Sequence, residues 1–113
     1  AYGDGTVFKL APDGTETVLY SFPAGNGGAA PVSGVIADKQ GILYGTTSGG
    51  GASNDGTVFK LAPDGTETTL HSFTGSDGQW PGRGALLEVG AYLYGTTDVG
   101  GGADDGVVFR VKK

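Results

Sequence analysis

Side chains suited to binding a sugar lie close together around Pro81. Trp80 carries the only indole ring of the chain, and Asp77 and Arg83 place an acceptor and a charged donor within three residues of it. An exposed indole can stack on the apolar face of a sugar while neighbouring polar groups fix its hydroxyls. The alternative is that Trp80 packs against a neighbouring repeat or subunit, and the sequence leaves both interpretations open.

Three carboxylates flank a Gly-rich loop near the C-terminus, namely Asp98, Asp104 and Asp105 in DVGGGADD. Carboxylate oxygens on such a loop are ligands that Ca²⁺ accepts. The matching loop one repeat earlier, SGGGASND, keeps only Asn54 and Asp55, and neither loop has the spacing of a defined calcium loop. Asp and Asn also stabilise turns through their own backbone. We therefore expect no cofactor, with Ca²⁺ as the one candidate ion.

Residues that could perform catalysis are sparse. His71 is the only histidine, it takes the position of Tyr20 in the first copy, and no cysteine accompanies it. Asp38 and Glu88 stand one repeat apart, whereas a glycosidase needs two carboxylates facing each other across one cleft. Acidic residues at equivalent places in successive repeats are typical of turns. The chain is therefore predicted not to be an enzyme.

The elements that position these residues come from an internal repeat. Gly5–Thr17 and Gly56–Thr68 both read GTVFKLAPDGTET, and a third copy starts at Gly106 as GVVFRV. The copies start 51 and then 50 residues apart, because one residue is lost in the loop after Phe73. A period near 50 residues with strand-like composition predicts a blade-type repeat.

Composition narrows the classes of function. Glycine contributes 24 of the 113 residues, but it separates apolar runs, so the chain is predicted to be ordered and rich in turns. The net charge of −5 and the lack of clustered basic residues argue against nucleic acid as a partner. No apolar stretch reaches the length of ~18 residues that a membrane span requires. Because there is no cysteine, disulfides are excluded.

Short runs rich in Val, Ile, Thr, Tyr and Phe between turn signals predict an all-β chain of nine strands. These strands are Thr6–Leu10, Thr17–Phe22, Ser33–Asp38, Ile42–Thr47, Thr57–Leu61, Thr68–Phe73, Arg83–Val89, Tyr92–Thr97 and Val107–Lys112. Pro-Asp-Gly turns at 11–14 and 62–65 close two hairpins, and Asp38–Gly41 with its counterpart Glu88–Ala91 closes two more. Four antiparallel strands per period are the content of one propeller blade.

Residues 4–22, DGTVFKLAPDGTETVLYSF, followed by P..G.IAD..G.LYGTT..GG, resemble the GloVer-type tandem repeat over essentially the whole chain. The pattern is also similar to the NHL-like blade, in which Pro31–Asp38 would be the innermost strand A, Ile42–Thr47 strand B, Thr57–Leu61 strand C and Thr68–Phe73 strand D. The resemblance implies a repeat fold and an extracellular or cell-surface location in a bacterium. It supplies no catalytic residues.

With those labels the chain holds about two and a quarter repeats of antiparallel, four-stranded propeller-type blades. Residues 1–30 would form a partial blade of strands C and D, residues 31–73 a full blade, and residues 81–113 a partial blade of strands A to C. A propeller needs roughly four to eight blades to enclose a channel. We therefore expect either self-assembly or a longer parent chain.

The expected function is that of a structural module that self-associates through its blades into a closed ring or an extracellular array. An open head-to-tail filament and a carbohydrate-binding, lectin-like module that uses Trp80 and Arg83 are the alternatives. The partners are further copies of the chain, or glycans in the last case. Two strands compete for the C position of a shared blade, and the residues expected to mediate assembly lie in them: Val7, Phe8, Leu10, Val107, Phe109 and Val111.

Overall fold

A computed structural model describes residues 4–23 and 28–113 of the chain. Within these ranges the protein is all-β, and its strands form antiparallel sheets. The strands are β1 (Thr6–Leu10), β2 (Glu16–Ser21), β3 (Ile36–Ala37), β4 (Leu43–Thr47), β5 (Thr57–Leu61), β6 (Glu67–Ser72), β7 (Gln79–Pro81), β8 (Leu87–Val89), β9 (Tyr92–Val99) and β10 (Val108–Lys112). Residues 24–27, in the loop predicted to differ in length between copies, lie outside these ranges. The described residues include no helix that could span a membrane.

The strands group into sheets in chain order. β1 and β2 make a two-stranded hairpin, and β3–β4–β5–β6 make a four-stranded meander. In the third sheet β9 is central, because β10 pairs with one of its edges while β7 and β8 both pair with the other. The predicted all-β, antiparallel architecture is confirmed.

Two Pro-Asp-Gly turns close hairpins as predicted. In the first, Gly14 donates its N–H to Ala11 O at 2.9 Å and takes a φ of 91°, in the left-handed region that glycine tolerates. The Asp13 carboxylate accepts the N–H of Thr15 at 2.9 Å, and this hydrogen bond holds the pKa of Asp13 below its usual range. Residues 62–66 repeat these contacts in the second turn.

The first strand of each four-stranded sheet differs from the prediction. The structure has Ile36–Ala37 and Leu87–Val89 in place of the longer strands Ser33–Asp38 and Arg83–Val89, and it adds β7, which was not predicted. Pairing with β9 begins in β7, stops after Pro81 and resumes in β8. Proline lacks the N–H that a ladder requires, so the chain leaves the sheet there and rejoins it several residues later.

The interruption shifts the alignment of the two sheets. Ile36 pairs with Tyr44, and Leu87 pairs with Tyr94. The first strands are therefore offset by 51 residues, whereas the strands that they pair with are offset by 50. Relative to the β3–β6 sheet, the third sheet has one extra residue before Leu87 and one residue fewer in the turn after β8. The two changes cancel in the length of the repeat, so the sequence spacing does not reveal the shift.

The shift moves two carboxylates out of equivalence. Val89 occupies the place in the third sheet that Asp38 occupies in the β3–β6 sheet. Glu88 matches Ala37 and lies within a strand. The prediction that Asp38 and Glu88 are equivalent turn residues is therefore wrong, because strand pairing and not the identity of the acidic residue sets the register.

Each junction between consecutive sheets buries an apolar cluster. The β1–β2 hairpin packs on one face of the β3–β6 sheet, and the opposite face of that sheet packs on the third sheet. The buried residues are Val7, Phe22, Phe59 and Leu61 at the first junction and Tyr44, Val58, Phe73, Leu86 and Leu93 at the second. Phenylalanine rings meet edge to face at both, with centroid distances of 5.2 Å in Phe22–Phe59 and 5.0 Å in Phe73–Phe109.

A glycine in the middle of β4 makes room for a phenylalanine ring. A Cβ atom on Gly45 would lie 2.9 Å from Phe59 Cζ and 2.9 Å from Val35 Cγ1, closer than carbon atoms normally pack. Gly95 has the same relation to Phe109 in the third sheet, where the corresponding distance is 2.6 Å. The glycine of the repeated LYGTT segment is therefore required by packing.

Candidate functional site

Trp80 lies in β7 in a backbone conformation that bulky residues rarely adopt. Its φ is 58°, in the left-handed region, and its N–H donates to Asp55 O at 2.9 Å. One repeat earlier Ala30 has a φ of 55°, and its N–H donates to Asp4 O at 2.7 Å. The fold imposes this conformation in both copies, so only the indole distinguishes the second copy at this position.

The indole forms one wall of a cleft between the loops of the two four-stranded sheets. This cleft, which we call the Trp80 cleft, has a volume of about 370 Å³. Its lining includes Val32, Ser48, Trp80, Pro81, Arg83 and Asp98. The Trp80 side chain is not part of either apolar cluster, and 49% of the residue is exposed. The aromatic surface therefore faces the cleft and the solvent.

An ion pair lies on the polar side of the Trp80 cleft. Arg83 Nε donates to Asp98 Oδ2 at 2.8 Å, and 82% of the Arg83 side chain remains exposed. This hydrogen bond, together with the charge of the carboxylate, raises the pKa of Arg83. The sequence placed Arg83 and Asp98 in separate sites, one for a sugar and one for calcium. The structure brings them together because β7 pairs with the far end of β9, where Pro81 stands opposite Thr97.

Asp77 belongs to a different cluster. Its Oδ1 accepts the N–H of Thr74 at 2.9 Å, and its Oδ2 lies 2.8 Å from Nε2 of His71. Burial opposes ionisation of Asp77, but these hydrogen bonds outweigh it and lower the pKa. His71 also contacts Phe73 edge to face, as expected for a strand side chain. Asp77 is not among the residues that line the Trp80 cleft.

The three carboxylates of the predicted calcium loop have separate environments. Asp98 pairs with Arg83, Asp104 accepts the N–H of Gly100 at 3.0 Å, and Asp105 is exposed. Within residues 4–23 and 28–113, no group of three or more His, Cys, Asp or Glu side chains is arranged so that it could hold a metal ion.

Asp104 has a structural counterpart that carries no charge. Asn54, with a φ of 60°, accepts the N–H of Gly50 at 2.8 Å, and Asp104, with a φ of 61°, makes the same contact with Gly100. An amide and a carboxylate therefore close the two Gly-rich loops in the same way. This geometry fits the turn-stabilising role that Asp and Asn play through their own backbone.

Large apolar side chains that remain exposed fall into three groups. The N-terminal apolar face consists of Phe8 (55% exposed), Leu10 (64%) and Val18 (50%) on the β1–β2 hairpin. The C-terminal apolar face consists of Leu87 (63%), Val89 (53%) and Val108 (80%) on the third sheet. The others are Val32, Val35 and Trp80, of which Val32 and Trp80 line the Trp80 cleft.

The N-terminal apolar face is exposed although an identical segment elsewhere is buried. β1 and β5 have the same sequence and the same pairing to the following strand, including a bulge after Val7 and Val58. Yet Phe59 is 0% exposed and Leu61 is 2% exposed, because the β1–β2 hairpin covers them. Nothing in the described part of the chain covers the face of β1 that corresponds to theirs.

The C-terminal apolar face is the converse case. Val108 takes the position of Val58, and Leu87 pairs as Ile36 does. Val58 and Ile36 pack against the third sheet, whereas Val108 and Leu87 point away from the second apolar cluster. Arg110 shares the outward side of β10 with Val108, because side chains alternate along a strand.

The predicted assembly residues have divided roles. Val7 is buried at the first junction, Phe109 and Val111 pack on the second apolar cluster, and the N–H of Val107 donates to Thr97 Oγ1 at 3.1 Å. Only Phe8 and Leu10 lie on an open face. The three residues of the C-terminal apolar face were not predicted from the sequence. The alternation of Val108 with Phe109 was the available signal.

A polar cluster lies at the second junction. The Tyr44 hydroxyl donates to Asp38 Oδ2 at 2.9 Å, and the Lys113 ammonium pairs with Glu88 and lies 5.8 Å from the centroid of the Tyr44 ring. Burial, followed by the hydrogen bond to Asp38, raises the pKa of Tyr44 to about 12. The ion pair with Glu88 and the contact with the Tyr44 ring therefore anchor Lys113 at this junction.

Residues 1–113 match a family model described as the Gloeobacter/Verrucomicrobia repeat. The chain belongs to the Gloeobacter/Verrucomicrobia repeat family. No curated protein and no solved structure gives a significant match to the chain. The family match confirms the predicted resemblance to this tandem repeat. In this Gloeobacter/Verrucomicrobia repeat protein the hairpins and the Gly-rich loops recur between copies, whereas Trp80 and Arg83 replace Ala30 and Ser33.

Proposed function

We propose that the protein is a non-catalytic structural module whose copies associate head to tail. In this proposal the C-terminal apolar face of one copy packs on the N-terminal apolar face of the next, and each four-stranded sheet acts as a propeller-type blade. The copies then form a closed ring or an extracellular array, outside the bacterial cell. An open filament built from the same contact is the alternative architecture.

One observation carries the proposal, namely the unequal burial of the two identical hairpins. Exposure rises from 0% at Phe59 to 55% at Phe8 and from 2% at Leu61 to 64% at Leu10. Apolar area left in water is unfavourable by about 25 cal/mol per Å². The sequence of β1 is thus suited to a covered position, and a partner that covers it gains the stabilisation that β5 already has.

A second copy of the chain is the partner that the internal packing favours. Within one chain the Val7 face of the hairpin covers Phe59, and the Val58 face of the next sheet covers Phe109. Val108 is the equivalent of Val58 in the third sheet and is uncovered. Extending the same packing by one sheet gives a contact between the C-terminal apolar face of one copy and the N-terminal apolar face of another. Such a contact is heterologous and therefore generates rings or filaments.

Charge supports the same contact. Arg110 and Lys112 lie on the Val108 side of β10, since alternate residues of a strand share a side. Glu16 stands opposite Leu10 on the N-terminal apolar face. The two faces are therefore basic and acidic at their margins, and complementary charges set the orientation of an interface and speed its formation.

Native mass by light scattering after size exclusion, over a dilution series, tests the proposal. Phe8→Asp and Val108→Asp should each weaken association by at least about tenfold, because a buried unpaired carboxylate replaces an apolar contact. Thr68→Asp is the control, since Thr68 is an exposed residue of β6 that lies on neither face. A wild-type chain that stays monomeric at all concentrations would overturn the proposal.

Mixing the variants distinguishes a head-to-tail contact from a symmetric one. Phe8→Asp keeps an intact C-terminal apolar face, and Val108→Asp keeps an intact N-terminal apolar face. The mixture should therefore give a one-to-one dimer that neither variant forms alone. Wild-type chain should grow to a discrete ring mass or to polydisperse filaments that electron microscopy would show. Two variants that fail to pair would contradict the heterologous contact.

A further inference from the structure

We infer that the Trp80 cleft is a binding site for a neutral saccharide. This inference goes beyond the assembly proposed above and does not rest on it, because Trp80, Arg83 and Asp98 belong to neither apolar face. It concerns a place where the second copy of the repeat carries an indole ring and an arginine–aspartate ion pair, whereas the first copy has alanine and two serines at the equivalent positions 30, 33 and 48.

The position of Trp80 is the first argument. The left-handed backbone at this site accepts alanine in the first copy, as Ala30 shows. A bulky side chain is disfavoured there, and the indole is half exposed, so neither the fold nor the apolar core requires it. Exposed tryptophan on a rigid strand and beside a cleft is typical of an aromatic binding surface.

The polar rim is the second argument. A pyranose ring combines an apolar C–H face with hydroxyl groups that both donate and accept hydrogen bonds. Trp80 offers a flat apolar surface, Arg83 offers guanidinium donors of which only Nε is used by Asp98, and Asp98 offers carboxylate oxygens. These groups line an open cleft of about 370 Å³, which suits one or two sugar rings.

The charge balance selects neutral sugars. Asp98 compensates Arg83 at 2.8 Å, so the rim carries no net charge for an anionic ligand to neutralise. The chain as a whole has a net charge of −5, which repels polyanions. A uronate or sulfated saccharide would therefore be a poorer ligand than a neutral one.

The chain supplies its own matched variants. Trp80→Ala, Arg83→Ser and Asp98→Ser install the residues that the first copy has at positions 30, 33 and 48. Each substitution places a residue that this repeat already accommodates, so the variants should fold. Thr69→Val, which installs the residue of position 18 in β6, is the corresponding control, since Thr69 lies neither in the cleft lining nor on an apolar face.

Tryptophan fluorescence gives a direct readout, because Trp80 is the only tryptophan. Neutral hexasaccharides of β-1,4-linked glucose, xylose and N-acetylglucosamine and of α-1,4-linked glucose are titrated, with oligogalacturonate as the acidic probe. At least one neutral series should change the emission. Calorimetry should then show that Trp80→Ala weakens binding by about tenfold or more, the scale of one lost aromatic contact. Trp80→Phe should retain part of the affinity, and Thr69→Val should leave it unchanged.

Three results would overturn the inference: no binding of any neutral probe, equal affinity of Trp80→Ala and wild type, or binding of the acidic probe alone. The titration is repeated on the Val108→Asp variant, in which assembly is blocked, because Phe8 shares a surface pocket with Val32 of the Trp80 cleft. Binding that persists there separates the saccharide site from the assembly contact, so each proposal can fail without the other.

Discussion

The β1–β2 and β5–β6 hairpins carry the same thirteen residues and differ in almost everything that surrounds them. Both have the same strand register and the same bulge. In β5 every residue except Lys60 is buried, whereas in β1 only Val7 is buried and the other four residues are exposed. β5 pairs with β4 on its second edge and is covered on both faces.

The comparison separates what local sequence determines from what neighbours determine. Turn chemistry and β-propensity are identical in the two hairpins, so they account for the shared backbone. Burial differs because a sheet face is covered only where another element packs on it. When the same substitution is made in each hairpin, the difference between the two effects therefore measures the contribution of the surrounding elements, since the segment itself is constant.

The largest difference is expected from removing the same ring in the two hairpins. Phe59→Ala should lower the free energy of unfolding by about 3–5 kcal/mol, because it empties a fully buried site. Phe8→Ala should cost less than about 1 kcal/mol in dilute solution, because the ring is half exposed there. Urea unfolding of both variants at low protein concentration checks the pair.

The same two variants probe association when the concentration is raised. Binding to the folded state makes stability depend on concentration. The cost of Phe8→Ala should therefore increase at concentrations where the wild-type chain associates, while the cost of Phe59→Ala should change little. Equal costs of the two substitutions in dilute solution would show that the β1 face is covered within the single chain.

A second, smaller effect concerns the face of the β5–β6 hairpin that packs on the third sheet. Next to Val58 the hydroxyl of Tyr44 has a pKa raised to about 12, above the usual value of about 10. The stabilisation of the folded state that is linked to this raised pKa is therefore fully present below pH 10, and it is lost as the pH rises from 10 to 12. The loss should amount to at most about 3 kcal/mol.

Thermal unfolding measured from pH 9 to pH 12 tests this expectation. Tyr44→Phe should be somewhat less stable at neutral pH, because Asp38 loses a hydrogen bond worth about 1 kcal/mol. It should also show a flatter decline above pH 10. A variant that loses stability as steeply as the wild type would assign the alkaline transition to other tyrosines.

The smallest effect is expected from Gly45, which packs against the ring of Phe59. Gly45→Ala adds a Cβ that would lie 2.9 Å from Phe59 Cζ, so the ring must move. Overpacking of this kind costs about 1–3 kcal/mol. In the double variant Gly45→Ala/Phe59→Ala the added cost of the alanine should decrease, because only the 2.9 Å contact with Val35 Cγ1 remains, as a double-mutant cycle of unfolding free energies would show. An unchanged cost would show that the Phe59 ring does not oppose the added Cβ.

The sequence predicted the repeat, the strand-rich fold and the Pro-Asp-Gly turns, because each depends on local residues. It misplaced Glu88 because two compensating length changes leave the repeat length nearly constant, and only strand pairing reveals them. It missed β7 because three residues around a left-handed Trp80 do not show an alternating pattern.

The candidate site was predicted in part. Trp80 and Arg83 were found because they differ between copies, whereas the pairing of Arg83 with Asp98 depends on β7 lying beside β9. Asp77 was grouped with Trp80 because it is near in sequence, but it turns toward His71. Within a loop whose backbone reverses direction, distance along the sequence does not indicate which side chains lie together.

Positions 30 and 80 share one backbone geometry and one hydrogen bond to the preceding loop, yet one holds a methyl group and the other an indole. The repeat thus provides one backbone position, which we call a socket, that accommodates side chains as different as a methyl group and an indole. In a long array each socket can be changed by a single codon without disturbing its neighbours. A polymer of such repeats can therefore display different side chains at a fixed spacing. A substitution at one position per repeat determines which side chain each repeat displays.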